Sequence, residues 1–212
     1  MITIKPFVFN PFQENTFVVY DETNEAIIVD AGCYADNEKK ILASFISDNQ
    51  LKPVLTVNTH CHIDHVVGIN YVKENYQIPL QTNKNEEMLL QASLEQGKIF
   101  GLNMDTPPAI DHYISDGDTI KFGNSELSVI SVPGHSPGSV ALYSMPDKAI
   151  IVGDVLFDGS IGRTDLPGGS YDTLINSIRT KLMVLPDDVT VYPGHGPSTT
   201  IGKEHDTNPF LN

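Results

Sequence analysis

The chain has 212 residues, 40% of them hydrophobic, and carries a formal net charge of −14 at pH 7. This length suffices for one hydrophobic core, so we expect a single domain over residues 1–212. The acidic balance argues against a nucleic-acid partner, and only two cysteines, Cys33 and Cys61, argue against a secreted disulfide scaffold.

The N-terminal segment shows no targeting signal, because residues 1–9 carry a lone Lys5 and no apolar run of signal-peptide length. No later window approaches the roughly 18 uninterrupted apolar residues of a membrane span. We therefore expect a cytoplasmic protein that contacts no membrane.

The first third of the chain alternates short apolar runs with Asn, Pro, Asp and Gly, which predicts strands at 2–10, 16–21 and 26–30. Apolar residues at helical spacing then predict a helix over 37–46, which we expect to end at Lys52-Pro53. A further strand at 54–58 leads directly into Thr59.

The rest of the chain repeats this alternation of strands and helices. Helices are predicted over 66–73, 83–100 and 171–185, strands over 119–122, 127–132, 139–143, 149–152 and 189–192, and a Pro/Gly-rich tail at the end. Two rounds of strands and helices favour two sheets packed together with helices outside them.

The segment Thr59–His65, THCHIDH, places three imidazoles and a carboxylate directly after an apolar strand. In an extended segment His60 and His62 project to the same side, while Asp64 and His65 begin the next turn. Imidazole nitrogens and carboxylates suit a borderline divalent ion such as zinc. The segment therefore predicts a metal site.

The same arrangement of apolar strand, glycine and one polar ligand recurs at three later positions, His135, Asp154 and His195. Glycine permits the sharp turn at each strand end. Each of these residues alone would be an unremarkable loop residue. Together with the first segment they make seven ligands, five His and two Asp, which is too many for one tetrahedral ion and predicts two.

Three other residues whose side chains could bind a metal are interpreted as non-ligands. Cys61 points away from its histidine neighbours in an extended segment, so we expect a small buried hydrophobic residue. His112 and His205 lie outside the pattern and are expected to be ordinary polar histidines.

These motifs resemble the metallo-β-lactamase superfamily, in which T-H-x-H-x-D-H is followed by spaced G-H, G-D and G-H. The match spans residues 2–212, and the segments 10–15, 132–138, 153–157, 162–165, 193–196 and 204–210 resemble the glyoxalase II-like branch in its compact form, without a C-terminal helical domain. The zinc β-lactamases lack an aspartate equivalent to Asp154, and the diiron flavoproteins have Glu where this chain has His62.

The resemblance implies an αββα four-layer sandwich of two mixed sheets with helices on the outer faces. It also implies two divalent ions, zinc with iron or manganese as alternatives. His60, His62 and His135 would hold the first ion, Asp64, His65 and His195 the second, and Asp154 would bridge them.

The implied reaction is hydrolysis of a small thioester, such as S-lactoylglutathione or a related hydroxyacyl thioester, by a hydroxide shared between the ions. Asp64 would act as the catalytic residue that orients this hydroxide. Thr59 and Asp165 are candidates for orienting the imidazoles. Arg163 could steady an anionic substrate, although an Arg-Asp pair that holds a loop is the alternative.

Three other functions stay open at this point. A mononuclear iron persulfide dioxygenase would share these motifs and hold its iron with His60, His135 and Asp154. A lactone or ester hydrolase would use the same two-metal site. A non-catalytic metal-binding module is disfavoured, because a structural site is closed by four ligands. The oligomeric state is not predicted.

Overall fold

The structure is a computed structural model that describes residues 1–211 and comprises two compact units. One unit consists of Met1–Ile114 with Lys121–Ser125, and the other of Ser115–Ile120 with the chain from Glu126 onward. The single domain expected from the sequence stays a prediction. Within residues 1–211 no helix combines the length and apolar character that crossing a bilayer requires.

The first unit contains a six-stranded mixed sheet and four α-helices. Its strands are β1 (Thr3–Phe9), β2 (Glu14–Tyr20), β3 (Glu25–Val29), β4 (Lys52–Val57), β5 (Leu80–Thr82) and β6 (His112–Tyr113). Its helices are α1 (Asp36–Asp48), α2 (Ile63–Val66), α3 (Ile69–Tyr76) and α4 (Glu87–Phe100), with a 3₁₀ turn at Lys84–Glu86. The strands follow the chain in order, β1-β2-β3 antiparallel and β3-β4-β5-β6 parallel.

Parallel pairing brings two polar strand ends together at one edge of this sheet. Strands β3 and β4 pair from Glu25↔Lys52 to Val29↔Val57, so the residues that follow them leave the sheet at the same edge. Asp30, directly after β3, accepts hydrogen bonds from the backbone N and the Oγ1 of Thr59, at 2.7 and 2.6 Å. The segment that begins at Thr59 is thereby anchored to the neighbouring strand.

The second unit contains another mixed sheet and two helices. Its strands are β7 (Thr119–Phe122), β8 (Ser125–Ser131), β9 (Val140–Ser144), β10 (Ala149–Gly153), β11 (Leu156–Phe157), β12 (Ser160–Ile161), β13 (Thr190–Pro193) and β14 (Thr199–Thr200), although residues 121–122 of β7 and residue 125 of β8 fall in the first unit. Its helices are α5 (Tyr171–Ser177), which continues as a π-helical turn over Ile178–Leu182, and α6 (Ile201–Thr207). The sheet order is β14-β13-β10-β9-β8-β7, and β11 and β12 form a separate hairpin.

The strands β10 and β13 position two of the predicted ligands. They are parallel, and Gly153 at the end of β10 pairs with Pro193 at the end of β13. Asp154 and His195 therefore emerge from the same edge of the sheet. An apolar core that includes Ile150, Val191 and Leu174 fixes these strands against α5.

The predicted strands and long helices agree with the structure within a few residues, and three local predictions were wrong. Lys52-Pro53 opens β4 and does not end the preceding helix. The helix predicted over 66–73 is two helices, which meet at Gly68, whose backbone N donates to the carbonyl of Ala31 at 2.8 Å. A side chain at Gly68 would lie 2.7 Å from the Cys33 carbonyl oxygen, so only glycine permits this approach.

The C-terminal tail also differs from the prediction, since it forms β14 and α6. Thr200 caps α6 by accepting a hydrogen bond from the backbone N of Lys203 at 3.2 Å. The helix has seven residues and buries only Ile201 and Glu204. So short a pattern lacks the apolar repeat by which helices are predicted from sequence.

Candidate metal centre

Three imidazoles of the first unit lie against one another in its interior. The ring centroid of His60 lies 4.8 Å from that of His62 and 4.1 Å from that of His65, and the three residues are at most 8% exposed. Asp64 and His65 lie in α2, not in a turn, and the Oδ2 of Asp64 is 3.7 Å from the Nε2 of His65. The four predicted ligands of this unit are therefore brought together.

Hydrogen bonding around His60 places the lone pair of its imidazole on Nε2. The Oγ1 of Thr59 donates to the Asp30 carboxylate, which can only accept, so this hydroxyl must accept from the Nδ1 of His60, 3.2 Å away. A proton on Nδ1 leaves the lone pair on Nε2. Thr59, a sequence-predicted orienting residue, thus sets the tautomer of His60.

Two acidic side chains, those of Asp30 and Glu14, lie next to His65. The Nδ1 of His65 is 3.1 Å from the Oδ2 of Asp30 and 3.8 Å from the Oε1 of Glu14, and all three side chains are fully buried. Burial raises the pKa of Glu14 well above its usual value, although the charge of His65 opposes this shift. These carboxyl groups favour a proton on the Nδ1 of His65 and leave its Nε2 on the side of Asp64.

Three buried polar side chains bind the backbone of the segment Thr59–His65, which carries four of the predicted ligands. Asn10 donates to the carbonyls of Gly32 and Asp64 at 3.0 and 2.9 Å. Asn58 donates to the carbonyl of His65 at 2.7 Å, and the carboxylate of Glu86 accepts from the backbone N of Cys61 at 2.7 Å.

Sequence reasoning missed Asp30, Glu14, Asn10, Asn58 and Glu86. A signal existed for Asp30, which follows an apolar strand as the predicted ligands do, and whose left-handed backbone (φ 54°) marks a special position. Asn10 and Glu14 lie in a segment that carried the family resemblance without an assigned role. Glu86 had no signal, because its partner Cys61 lies 25 residues away in the chain.

Cys61 is not part of the imidazole cluster. Its side chain is fully buried in an apolar cluster with Val66 and Ile69, as the sequence predicted. Burial raises the pKa of its thiol well above the usual value, which disfavours the thiolate that metals bind. His112 and His205, which were interpreted as ordinary polar histidines, are exposed.

In the second unit one carboxylate lies within reach of two imidazoles. The Oδ2 of Asp154 is 3.6 Å from the Nε2 of His135 and 3.4 Å from the Nε2 of His195. The Nδ1 of His135 is 2.8 Å from the carbonyl oxygen of Arg163, which can only accept, so Nδ1 carries the proton and Nε2 the lone pair. The three predicted ligands of this unit are also brought together.

Two glycines make this arrangement possible. A side chain at Gly162 would lie 1.8 Å from the carbonyl oxygen of Asp154 and 3.2 Å from the Nδ1 of His135. Gly134 has φ +134°, and a side chain there would lie 2.3 Å from the backbone N of Leu174. The glycine before His135 is thus required by close packing against α5 as well as by the turn.

The Arg163 side chain is engaged by Asp165 in a bidentate ion pair with both distances at 2.7 Å. Both side chains are more than half exposed, and this pairing matches the loop-holding role considered from the sequence. Arg163 orients His135 through its backbone carbonyl, whereas the carboxylate of Asp165 binds the guanidinium of Arg163.

The donors in both units fit a borderline divalent ion. In the first unit, ligand atoms of Asp30, His60 and His65 all lie within 4.8 Å of one another. Imidazole nitrogens with their second nitrogen bound to an acceptor, accompanied by carboxylates, are the ligand set of zinc and of related ions. Such a density of buried imidazoles has no role in apolar packing.

Comparisons with known proteins agree with this chemistry. A family model described as the metallo-beta-lactamase superfamily matches residues 9–195. Hydroxyacylglutathione hydrolase GloC of Haemophilus influenzae is 37% identical over 208 residues, which cover 95% of this chain and 94% of that protein.

Two solved structures are similar over nearly the whole chain. BLEG-1 B3 metallo-beta-lactamase has a TM-score of 0.91 at 37% identity and covers 99% of this chain and 100% of its own. TTHA1623 in a di-iron-bound form has a TM-score of 0.87 at 35% identity, with coverage of 98% and 100%. The family match includes the range in which all seven predicted ligands lie.

Proposed function

Since the chain belongs to the metallo-β-lactamase superfamily and is a metal-dependent hydrolase with that fold, we propose that it hydrolyses S-lactoylglutathione or a related hydroxyacyl thioester. The observation that carries the proposal is the Asp154 carboxylate, whose Oδ2 lies 3.6 and 3.4 Å from the Nε2 atoms of His135 and His195. A carboxylate with imidazoles on two sides is suited to bridging two ions.

We propose that His60, His62 and His135 hold one ion, that Asp64, His65 and His195 hold the other, and that Asp154 bridges them. The tautomers support this set, since the Nδ1 atoms of His60 and His135 lie against acceptors and leave Nε2 for a metal. We propose zinc as the ion, and the di-iron form of TTHA1623 makes iron the first alternative to test.

When bound, the two ions supply the Lewis acidity that activates a water molecule and polarises the substrate carbonyl. The residues of this chain contribute orientation. We propose that Asp64, which is 8% exposed at the start of α2, would accept a hydrogen bond from the attacking water and so fix its direction. Asp30 and Thr59 hold the imidazoles in one tautomer while charge develops.

A thioester suits this centre better than an amide. A thiolate departs without protonation, whereas an amine leaving group needs a positioned acid. The similarity to hydroxyacylglutathione hydrolase GloC supports the same substrate class.

We also propose that the protein acts in the cytoplasm on a small molecule, without nucleic-acid or membrane partners. The formal net charge of −14 supports this, because it repels the phosphates of nucleic acids and of anionic lipid surfaces.

The test combines elemental analysis with turnover assays on the zinc-loaded and iron-loaded protein. We expect two ions per chain, release of free thiol from S-lactoylglutathione, and loss of both with Asp154→Asn. Parallel assays should use a lactone, a β-lactam and glutathione persulfide under oxygen. One iron per chain with oxygen consumption would replace the proposal by persulfide dioxygenation, and turnover confined to the lactone or the β-lactam would replace the substrate.

A further inference from the structure

We propose that Glu204 in α6 is a positioning residue that fixes His195 through the β11–β12 hairpin and strand β14. The proposal concerns the second unit only. It rests on the proposed function in one respect, namely that His195 and Asp154 are metal ligands.

Glu204 is a fully buried carboxylate with hydrogen bonds to three separate chain segments. Its Oε1 accepts from the Oγ1 of Thr199 at 2.5 Å, and its Oε2 accepts from the backbone N of Gly159 at 2.9 Å and from the Nδ2 of Asn208 at 2.8 Å. A buried carboxylate is costly unless its oxygens are bound in this way. An apolar residue would suffice if α6 only had to cover the core.

The hairpin that Glu204 holds lies next to both ligands of interest. Gly159 lies in the turn of this hairpin with φ +69°, and its backbone N donates to Glu204 of α6. Asn208, the residue that follows α6, donates to the carbonyl of Ser160 at 3.0 Å, so two hydrogen bonds join the end of the chain to this turn. Strand β11 begins two residues after Asp154 and carries Phe157. The Phe157 ring lies 6.3 Å from the His195 imidazole at an interplanar angle of 62°.

The third bond of Glu204 holds the other side of the His195 loop. Thr199 lies in β14 and pairs with Val191 of β13, so the loop 194–198 is closed between two strands. Glu204 therefore fixes the end of the loop that carries His195 and the hairpin that contacts its ring.

His195 is the more exposed of the two histidines proposed as ligands in the second unit. Its side chain is 28% exposed, whereas the His135 side chain is 3% exposed and its Nδ1 is bound by the Arg163 carbonyl. An imidazole at the surface samples more rotamers unless a neighbouring ring and a rigid loop restrict it.

The decisive comparison is Glu204→Met with Glu204→Gln, read by chelator competition for metal and by hydrogen exchange of the Gly159 amide in metal-free protein. Met matches the volume and removes the acceptors, so we expect about tenfold weaker binding of one metal ion, a typical loss for an outer partner, and faster exchange. Gln keeps an oxygen for Gly159 and Asn208 and an NH₂ group for the Thr199 hydroxyl, so values near wild type are expected.

A purely structural Glu204 would give a different result: lower thermal stability and faster exchange at Gly159 in Glu204→Met, because the acceptor of that amide is lost, but unchanged metal affinity, which would overturn the proposal. Should Glu204→Met fail to fold, Thr199→Val decides, because it removes one bond and keeps the shape. We expect a threefold to tenfold loss of affinity there, and an affinity equal to wild type would overturn the proposal. Thr207→Ala on the exposed side of α6 is the matched control.

Neither readout requires a substrate. If the wild-type protein fails to cleave thioesters while Glu204→Met still loses metal affinity, the proposed function is wrong and the positioning role stands.

Discussion

The two halves of the proposed ligand set are built differently. In the first unit, four of the proposed ligands fall within six consecutive positions, and the side chains of Thr59, Asp30 and Glu14 orient two of them, His60 and His65. In the second unit, His135, Asp154 and His195 come from three separate strand ends, and their orientation comes from a backbone carbonyl, two glycines and a neighbouring ring.

The two halves therefore differ in the kind of substitution that would disturb the orientation of their side chains. Side-chain support can be removed by one conservative substitution without disturbing the fold. Backbone support can be removed only by adding atoms where a glycine leaves space. The following predictions test this contrast, from the largest expected effect to the smallest.

Asp154→Asn should have the largest effect, because this carboxylate lies within 3.6 Å of two imidazoles. We expect kcat/KM to fall by more than the roughly 10–100-fold typical of a lost outer partner, together with loss of metal from the purified protein. Elemental analysis and thioester turnover measure both. Asp188→Asn, an exposed carboxylate of the same unit, is the control, and equal behaviour of the two variants would remove Asp154 from the centre.

Asp30→Asn should reduce metal affinity by about 10–100-fold, because it weakens the acceptor that orients Thr59 and His65. Chelator competition measures the affinity. Asp165→Asn should leave the affinity unchanged, since Asp165 contacts Arg163 and not an imidazole. A larger loss of affinity with Asp165→Asn than with Asp30→Asn would show that the loop held by the Arg163–Asp165 ion pair, and not Asp30, determines the metal affinity.

Gly162→Ala tests backbone support in the second unit. The added carbon would lie 1.8 Å from the carbonyl oxygen of Asp154, so the backbone must shift, and we expect destabilisation of about 1–3 kcal/mol. Thermal denaturation of the metal-free protein measures it. Gly97→Ala, where the added carbon meets the flexible Met104 side chain at 3.1 Å, is the matched control and should be nearly neutral.

Asp21→Asn should have the smallest effect, on stability alone. Burial would raise the pKa of Asp21, but hydrogen bonds from Thr23, Ser125 and Asn124 outweigh it and lower the pKa from 3.8 to about 2. The ionised carboxylate therefore stabilises the fold above pH 3.8, and this contribution is lost as the pH falls through about 2.

We accordingly expect Asp21→Asn to lower Tm by a few degrees at pH 7 and to approach the wild type as the pH falls below 3.8. Thermal melts across this pH series measure the difference. A gap that stays constant with pH would mean that packing, not charge, is responsible.

Prediction from the sequence succeeded where the residues that form a pattern are neighbours in the chain. The THCHIDH segment, the strand-Gly-His pattern and the long helices were visible because neighbouring residues carry the pattern. Asp30 and Glu86 were missed as orienting residues because their partners, Thr59 and Cys61, lie 29 and 25 residues away and meet them only through sheet pairing and turn placement. Helix α6 was missed because a seven-residue helix with a buried acid has no apolar repeat.

The burial of Cys61 has a consequence for the choice of ion. Its sulfur is the only soft donor within the ligand segment, and the fold turns it into an apolar cluster where its pKa is raised. Copper(I) and cadmium favour thiolate, so withholding this group removes the advantage such ions would have over zinc or iron. Cys33 is fully buried as well, so thiol-reactive reagents should leave the folded protein untouched, and they can test for the thiol product of the proposed reaction while turnover proceeds.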